Sequence, residues 1–256
     1  MFLGSRFAAL LQLPLSICFP LMNSNTRRSF SELNGVKAED VLKNPRWPEK
    51  WPYTPADFRR EDESVDTYFY SQPRLVYHID DPAVAALKRY YSSVFFNGAD
   101  VLDICSSWVS HFPDDIKLGK RIGLGMNEFE LSKNVQLDNY VVKNLNIDPK
   151  FPFPDNTYYF VTCVVSVDYL TRPLEVFSEI RRVLKPNGVA IISQSNRCFP
   201  TKAIKIWLNT NDLQHIFIIG SYFHYAGGFH SLEALDISPN PLFSDPLFII
   251  RAAKSA

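Results

Sequence analysis

Residues 151–197 read FPFPDNTYYFVTCVVSVDYLTRPLEVFSEIRRVLKPNGVAIISQSNR, and this stretch decides the fold class of the chain. The run from Tyr158 to Ser166 is continuously apolar and rich in β-branched residues, which predicts a central strand covered on both faces. A helix is predicted to begin at Pro173, and a Lys-Pro-Asn-Gly turn at 185–188 to end it. The apolar face of that helix consists of Leu174, Phe177, Ile180 and Leu184. Residues 189–192 predict the next strand, and strand, helix and strand in this order indicate parallel pairing.

The same alternation continues outward on both sides. Upstream, Asp81 is predicted to cap a helix whose first turn holds Pro82. Further strands are predicted at 101–105, 121–124 and 140–142, and downstream a helix at 203–208 and a strand at 247–250. Strands separated by amphipathic helices predict an α/β fold with an open, doubly wound sheet.

Two segments of the central stretch resemble a known family. Residues 153–158 (FPDNTY) are similar to the LPFPD-x-(S/T)-F/Y-D pattern, and residues 179–188 (EIRRVLKPNG) to the E-x-x-R-V-L-K-P-G-G pattern, of class I S-adenosylmethionine (SAM) methyltransferases of the small-molecule type. The resemblance implies a Rossmann-like, mostly parallel seven-stranded sheet with helices on both faces. It also implies SAM as cofactor and a small molecule as methyl acceptor.

The stretch 103–111 (DICSSWVSH) corresponds to the family's cofactor loop, which has the pattern acid-x-Gly-x-Gly-x-Gly. The resemblance carries Asp103 over as the acid of that loop. The loop contains no glycine, and Ser106 and Ser107 are the small residues that would let the cofactor approach the backbone. Trp108 must either turn away or form a wall of the pocket.

The family's second strand ends in an acid that binds the ribose hydroxyls, and the aligned residue here is Gly125. Asn127 or Glu128, in the following turn, is expected to substitute for it. Asn144 is predicted to stand where the family has an aspartate near the adenine amino group. Ser166, at the carboxyl end of the fourth strand, completes the predicted cofactor site.

Asp168 and His224 are the predicted catalytic residues. Asp168 follows the fourth strand, where the substrate lies in this fold, although an exposed turn aspartate is the alternative. His224 lies in 221–229 (SYFHYAGGF), an aromatic and glycine-containing segment predicted to be mobile and to close over a ligand. A packed, hydrogen-bonded histidine is the alternative for this position.

Composition excludes several other functions. The 27 basic and 27 acidic residues give no net charge and no basic block, so no nucleic-acid partner is predicted. The four cysteines, Cys18, Cys105, Cys163 and Cys198, form no CxxC pair, so they are read as reduced buried residues and no metal site is expected. The apolar run 7–22 is interrupted by prolines and too short for a transmembrane helix.

The N-terminal segment predicts import into an organelle. Residues 1–31 contain Arg6, Arg27 and Arg28 and no acid, which is typical of chloroplast and mitochondrial presequences, and a secretory signal is the alternative. We therefore predict a presequence at 1–30, a proline- and aromatic-rich extension at 31–72 and a methyltransferase-like domain at 73–256. The extension is interpreted as a structural belt, with a flap over the active site as the alternative.

Three interpretations of function follow. The first is a soluble organellar SAM-dependent methyltransferase that acts on a small molecule not identified by the sequence. The second is a non-catalytic methyltransferase-like binding or assembly factor, which the glycine-free loop and Gly125 favour. A nicotinamide dehydrogenase is the third, although the chain lacks the GxGxxG pattern of that class.

Overall fold

A computed structural model of the chain describes residues 35–240 and 243–256. The predicted presequence and Cys18 lie outside the described residues. The seven strands of the sheet are β1 Val101–Ser106, β2 Arg121–Gly125, β3 Asn139–Val142, β4 Tyr158–Val164, β5 Leu184–Gln194, β6 Phe229–Asp236 and β7 Phe248–Lys254. The α-helices are α1 Ala38–Val41, α2 Asp66–Phe69, α3 Asp81–Val94, α4 Glu128–Lys133, α5 Pro173–Val183, α6 Lys205–Leu208 and α7 Asp212–Ala226. Two short 3-10 helices lie at Pro55–Phe58 and Val167–Tyr169.

The strands form one sheet in the order β3-β2-β1-β4-β5-β7-β6. The first five pair in parallel, and β7 runs antiparallel to both β5 and β6. Strand order reverses between β1 and β4, and a crevice forms at such a switch point beside the carboxyl ends of the strands. The predicted fold class, a mostly parallel seven-stranded Rossmann-like sheet, is confirmed.

Helices cover both faces of the sheet, because alternate side chains along each strand enter two separate apolar cores. Leu102 and Ile104 of β1 belong to the core that contains α5 and α7. Val101 of the same strand belongs to the core that contains α3, with Leu87 and Tyr91. This period of two accounts for the unbroken apolar runs seen in the sequence.

The predicted starts and ends of several elements differ from the structure. Asp80, not Asp81, caps α3, because its extended backbone lets its carboxylate accept a bond from Ala83 N at 2.9 Å. Strand β4 ends at Val164, before the predicted Ser166, because Val165 has a φ of 40°. The Lys-Pro-Asn-Gly stretch lies inside β5 as an irregularity, with Asn187 at a φ of 61°, and is not a separate turn.

Part of the extension packs into the α5–α7 core. Trp47 lies against Phe217 of α7 with ring centroids 4.7 Å apart, and Trp51 against Tyr225 at 5.4 Å. Trp47 and Trp51 of the extension therefore pack against α7. Cys105, Cys163 and Cys198 carry free thiols.

Candidate functional site

A cavity of about 300 Å³ opens at the carboxyl edge of the sheet, at the β1–β4 switch point. Cys105, near the end of β1, and Val165, directly after β4, both line this cavity. Both have left-handed backbones, with φ values of 52° and 40°. A β-branched residue such as Val165 adopts this conformation only at a cost of about 1–3 kcal/mol, and such strain collects at functional sites. The cavity is therefore the candidate site.

Asp103, predicted to bind the cofactor, lies beneath the cavity and does not line it. The fully buried carboxylate accepts hydrogen bonds from the hydroxyls of Ser106 at 2.6 Å, Ser110 at 2.7 Å and Thr162 at 2.8 Å. Its burial raises the pKa of this carboxyl to about 6. Because this buried carboxylate does not line the cavity and binds three hydroxyl groups, its contacts hold the loop after β1 in place.

Gly125 has no room for a side chain. A Cβ atom at this position would lie 2.1 Å from the carbonyl oxygen of Ser106. The approach is close because the pairing of β1 with β2 shifts register between Ile104 and Ser106, which brings the loop backbone over the end of β2. The glycine-free loop thus occupies the space in which the family's strand-end acid would begin.

A different carboxylate, that of Glu130 in α4, faces the cavity. It is buried, and its two oxygens accept bonds from Ser107 Oγ and from the main-chain N–H of Arg74, each at 2.6 Å. Glu128, the acid predicted from the sequence, is exposed and lies outside the cavity lining. The helical spacing explains the difference, because residues two apart point to different sides of α4.

The cavity is covered by residues 66–78, hereafter the strap, which begins with α2. Asn127 Nδ2 donates to the carbonyl of Tyr70 at 2.6 Å, and Trp108 Nε1 to the carbonyl of Val76 at 3.0 Å. The indole of Trp108 also stacks on Tyr77, with centroids 5.1 Å apart. Trp108 therefore does not line the cavity and instead holds the strap from outside it, whereas Asn127 binds the strap as well as capping α4.

The base of the strap is fixed by buried charges. Asp66 Oδ1 lies 2.5 Å from Arg60 Nη1 and 3.3 Å from Lys202 Nζ, and its Oδ2 accepts from Asn146 Nδ2 at 3.0 Å. Lys202 is fully buried and also contacts Asp62 at 3.0 Å. This network ties the strap to the segment that follows β5.

The remaining predicted cofactor residues line the cavity. Asn144 accepts from Asn146 N through its side-chain oxygen at 2.9 Å, and Ser166 donates to the carbonyl of Val164 at 2.8 Å. Ser107 lines the same space, as does Ser106, although the hydroxyl of Ser106 is committed to Asp103. The structure thus brings together Ser106, Ser107, Asn127, Asn144 and Ser166 and leaves out Asp103 and Glu128.

Neither predicted catalytic residue lines the cavity. Asp168 is turned inward by the 3-10 helix, and its main-chain oxygen accepts from Ile204 N at 2.9 Å. Burial raises the pKa of its carboxyl well above the usual range, and its Oδ2 has no hydrogen-bond partner among the described residues. His224 is exposed on α7 and stacks on Trp47 at 5.0 Å. The segment predicted to be mobile is in fact the last part of α7 up to Ala226, and its Tyr222 and Phe223 are buried in the core.

The sequence did not identify Arg74 and His78 of the cavity as site residues, and Arg197, which could position an anionic group or form an ion pair, lines the cavity while paired with Asp245. His78 lies edge-on to Phe199 with ring centroids 5.4 Å apart, and its partial burial lowers its pKa. Arg74 and His78 belong to the strap, where no strand or helix period marks them. Only the position of the strap over the sheet edge reveals them.

A second groove, of about 740 Å³, lies beside the cavity between the extension and α5. The two share Asp66, Asn144 and Asn146 as a common wall. Within the described ranges, no group of three or more His, Cys, Asp or Glu side chains is arranged to hold a metal ion. Likewise, no helix in the described part of the chain has both the length and the apolar character that crossing a bilayer requires.

A family model described as a methyltransferase domain matches residues 126–192. That match runs from the end of β2 to β5, across the switch-point cavity. Residues 126–192 are therefore similar to the methyltransferase-domain family. The match begins after β1 and its loop, so it leaves out the glycine-free stretch 103–111 and Gly125.

Several solved structures share the fold at low sequence identity. One of these structures is the complex between the Haloferax volcanii Trm112 methyltransferase activator and a methyltransferase. The matching chain is 15% identical, the alignment covers 69% of this chain and 91% of that one, and the TM-score is 0.51. Phosphoethanolamine N-methyltransferase 2 of Haemonchus contortus, in complex with S-adenosyl-L-methionine, is 15% identical over 69% of this chain and 53% of its own, with a TM-score of 0.48. The YcgJ protein of Bacillus subtilis is 12% identical over 67% and 99%, with a TM-score of 0.47. No curated protein matches the sequence.

Proposed function

We propose that this chain is a SAM-dependent methyltransferase that acts on a small molecule in the strap-covered cavity. The observation that carries the proposal is the buried carboxylate of Glu130, which faces the cavity beside Ser107 at the place left without an acid by Gly125. The methyltransferase-domain match and the fold support the same activity.

The residues present fit SAM, with Glu130 in place of the family's strand-end acid. A carboxylate oxygen has two acceptor positions, and each oxygen of Glu130 uses one for a donor from the protein. One position on each oxygen therefore remains for the two ribose hydroxyls. Leu124, Met126 and Leu145 supply apolar walls for the adenine ring, and the amide of Asn144 lies among them.

Bound SAM supplies an electrophilic methyl group on a sulfonium, and the protein's task is to orient the acceptor in line with it. Asn127, Trp108 and Glu130 hold the strap over the cavity, where it would shield the bound methyl group from water. His78 lies at the cavity rim, and its lowered pKa keeps it neutral near pH 7. It can therefore take the proton from a methyl acceptor that must lose one. Asp168 is a structural carboxyl in this proposal, since it does not reach the cavity.

Calorimetric titration of the full chain with SAM and its demethylated product tests the proposal. Glu130→Gln is expected to weaken SAM binding about tenfold to hundredfold, because a charge-assisted bond contributes about 1.5–3 kcal/mol. Glu128→Gln is the matched control, since it removes the same charge from the same helix at an exposed position. It is expected to bind SAM as the wild type does.

Absence of SAM binding by the wild-type chain would overturn the proposal and favour the non-catalytic binding factor. Equal affinities for Glu130→Gln and the wild type would show instead that the ribose is held elsewhere. The non-catalytic binding factor has its own support, because Asn127 and Glu130 already use hydrogen-bonding atoms to bind the strap.

We also propose that the protein works in a chloroplast or mitochondrion after loss of residues 1–30. The acid-free, arginine-bearing start supports this proposal. N-terminal sequencing of protein purified from its native source tests it, and an intact Met1 in that material would contradict it.

A further inference from the structure

Two charged groups of the cavity, the carboxylate of Glu130 and the guanidinium of Arg74, form no ion pair in the described part of the chain. Three charged lining residues are already in ion pairs: Asp66 with Arg60 and Lys202, Lys143 with Asp148 at 2.5 Å, and Arg197 with Asp245 at 2.8 Å. Glu130 receives two hydrogen bonds. The guanidinium of Arg74 has no carboxylate within 4.0 Å among the residues described.

The position of Arg74 is set by its surroundings. Its guanidinium carbon lies 4.5 Å from the ring centroid of Phe69 and 5.0 Å from that of Phe199. Its main-chain N–H is bound by Glu130 Oε1, which fixes the start of the side chain. Contacts with two aromatic rings stabilise a cation and restrict the plane in which it can turn. The guanidinium is therefore held in place before any ligand binds.

One edge of the guanidinium is available for binding. Nη1 donates to the carbonyls of Phe69 at 3.2 Å and Gln72 at 3.3 Å. Nε and Nη2 have no acceptor in the described residues, and neither is enclosed by protein. These two nitrogens form the edge at which a carboxylate binds through two parallel hydrogen bonds.

We propose that Arg74 binds a carboxylate of the ligand that fills the cavity. The walls around it include Tyr70, Tyr77 and Tyr169, so the rest of the ligand is apolar or aromatic where it leaves the guanidinium. This inference rests on the proposed methyltransferase function. The carboxylate comes either from the methyl acceptor, which is then an apolar or aromatic acid, or from the methionine end of SAM.

Calorimetry on the full chain distinguishes the two sources. In the first arm, Arg74→Gln and the wild type are titrated with SAM and with decarboxylated SAM. A loss of tenfold to hundredfold for SAM alone in Arg74→Gln assigns the carboxylate to the cofactor. In the second arm, both proteins are saturated with demethylated product and titrated with a set of hydroxybenzoates and hydroxycinnamates, each paired with its methyl ester. A loss of the same size for an acid, with no change for its ester, assigns the carboxylate to the acceptor.

Arg89→Gln is the control, since Arg89 is an exposed arginine of α3 outside the cavity, and no change is expected for it in either arm. Thermal unfolding of each variant checks that it is folded. Arg74→Lys is a second variant, which keeps the charge but not the two-nitrogen edge, and it is expected to lie between wild type and Arg74→Gln.

Unchanged affinities of Arg74→Gln in both arms would overturn the assignment of Arg74. This result differs from a failure of the proposed function, in which the wild-type chain binds no SAM at all. The second arm is then run without the demethylated product, and the acids still report whether Arg74 holds a carboxylate.

Discussion

Restoring the family's acid at position 125 is expected to harm this protein. Any side chain there places a Cβ 2.1 Å from Ser106 O, 3.0 Å from Ser106 C and 3.2 Å from Leu131 Cδ2. Relief to an ordinary contact of 3.4 Å requires an opening of roughly 1.3 Å between the ends of β1 and β2. Both obstacles from Ser106 are backbone atoms, so no rotamer change removes the clash. Overpacking of this kind costs about 1–3 kcal/mol.

Gly125→Ala and Gly125→Asp are therefore both expected to lower the free energy of unfolding by about 1–3 kcal/mol, measured by urea denaturation. Gly125→Asp is further expected to bind SAM no more tightly than the wild type. Gly123→Ala is the matched control on the same strand. Its Cβ meets the end of the Leu137 side chain at 2.4 Å, which can turn away, so a smaller loss is expected. A stable Gly125→Asp protein with tighter SAM binding would refute this reasoning.

Three other changes test the structure. Asp103→Asn should flatten the pH dependence of the free energy of unfolding, measured by urea titrations at several pH values. In the wild type the pKa of Asp103 is raised to about 6, so the folded state binds more protons than the unfolded state between about pH 4 and 6. The stabilising contribution of Asp103 is therefore complete below that window and is lost as pH rises through it, by up to about 3 kcal/mol. A wild-type slope that persists in the variant would contradict the assignment. Lys202→Met should lower the free energy of unfolding by about 1–3 kcal/mol, because it removes the contact with Asp62 and leaves Arg60 as the remaining cation beside Asp66. A loss below 1 kcal/mol would show that the network contributes little. His224→Ala should leave SAM affinity and any methyl transfer unchanged, since the ring only stacks on Trp47, and a large loss of activity at unchanged stability would restore His224 as a base.

The sheet was predictable because its signals are local in the chain. The apolar run that became β4 and the helix from Pro173 depend on side-chain periods of 2 and 3.6, which can be counted in the sequence. Helix α7 was missed because it is apolar on nearly all sides, with ten of its residues buried, so it shows no amphipathic period. Strand β6 was missed because its exposed and half-buried positions do not alternate cleanly.

The site was less predictable because its contacts join distant parts of the chain. Glu130 could be identified only once Ser107 and Arg74 were seen to donate to it, 23 and 56 residues away in sequence. Asp103 has the residue type that the family requires, yet its carboxylate is buried against three hydroxyl groups and does not line the cavity. The residue types and their order predicted which loops meet at the site. The direction in which each side chain points could be seen only in the tertiary structure.

Trp108 gives the strap an optical signal of its own. The chain contains four tryptophans, and three of them are packed elsewhere, Trp47 on Phe217, Trp51 on Tyr225 and Trp207 on His215. Trp108 stacks on Tyr77 and donates to the carbonyl of Val76, so a movement of residues 66–78 away from Trp108 would break both contacts. A change in the polarity around an indole shifts its emission wavelength, so the difference spectrum between wild type and Trp108→Phe isolates this one ring. Stopped-flow fluorescence of the unlabelled protein would therefore report whether the strap moves when a ligand is added, and how fast.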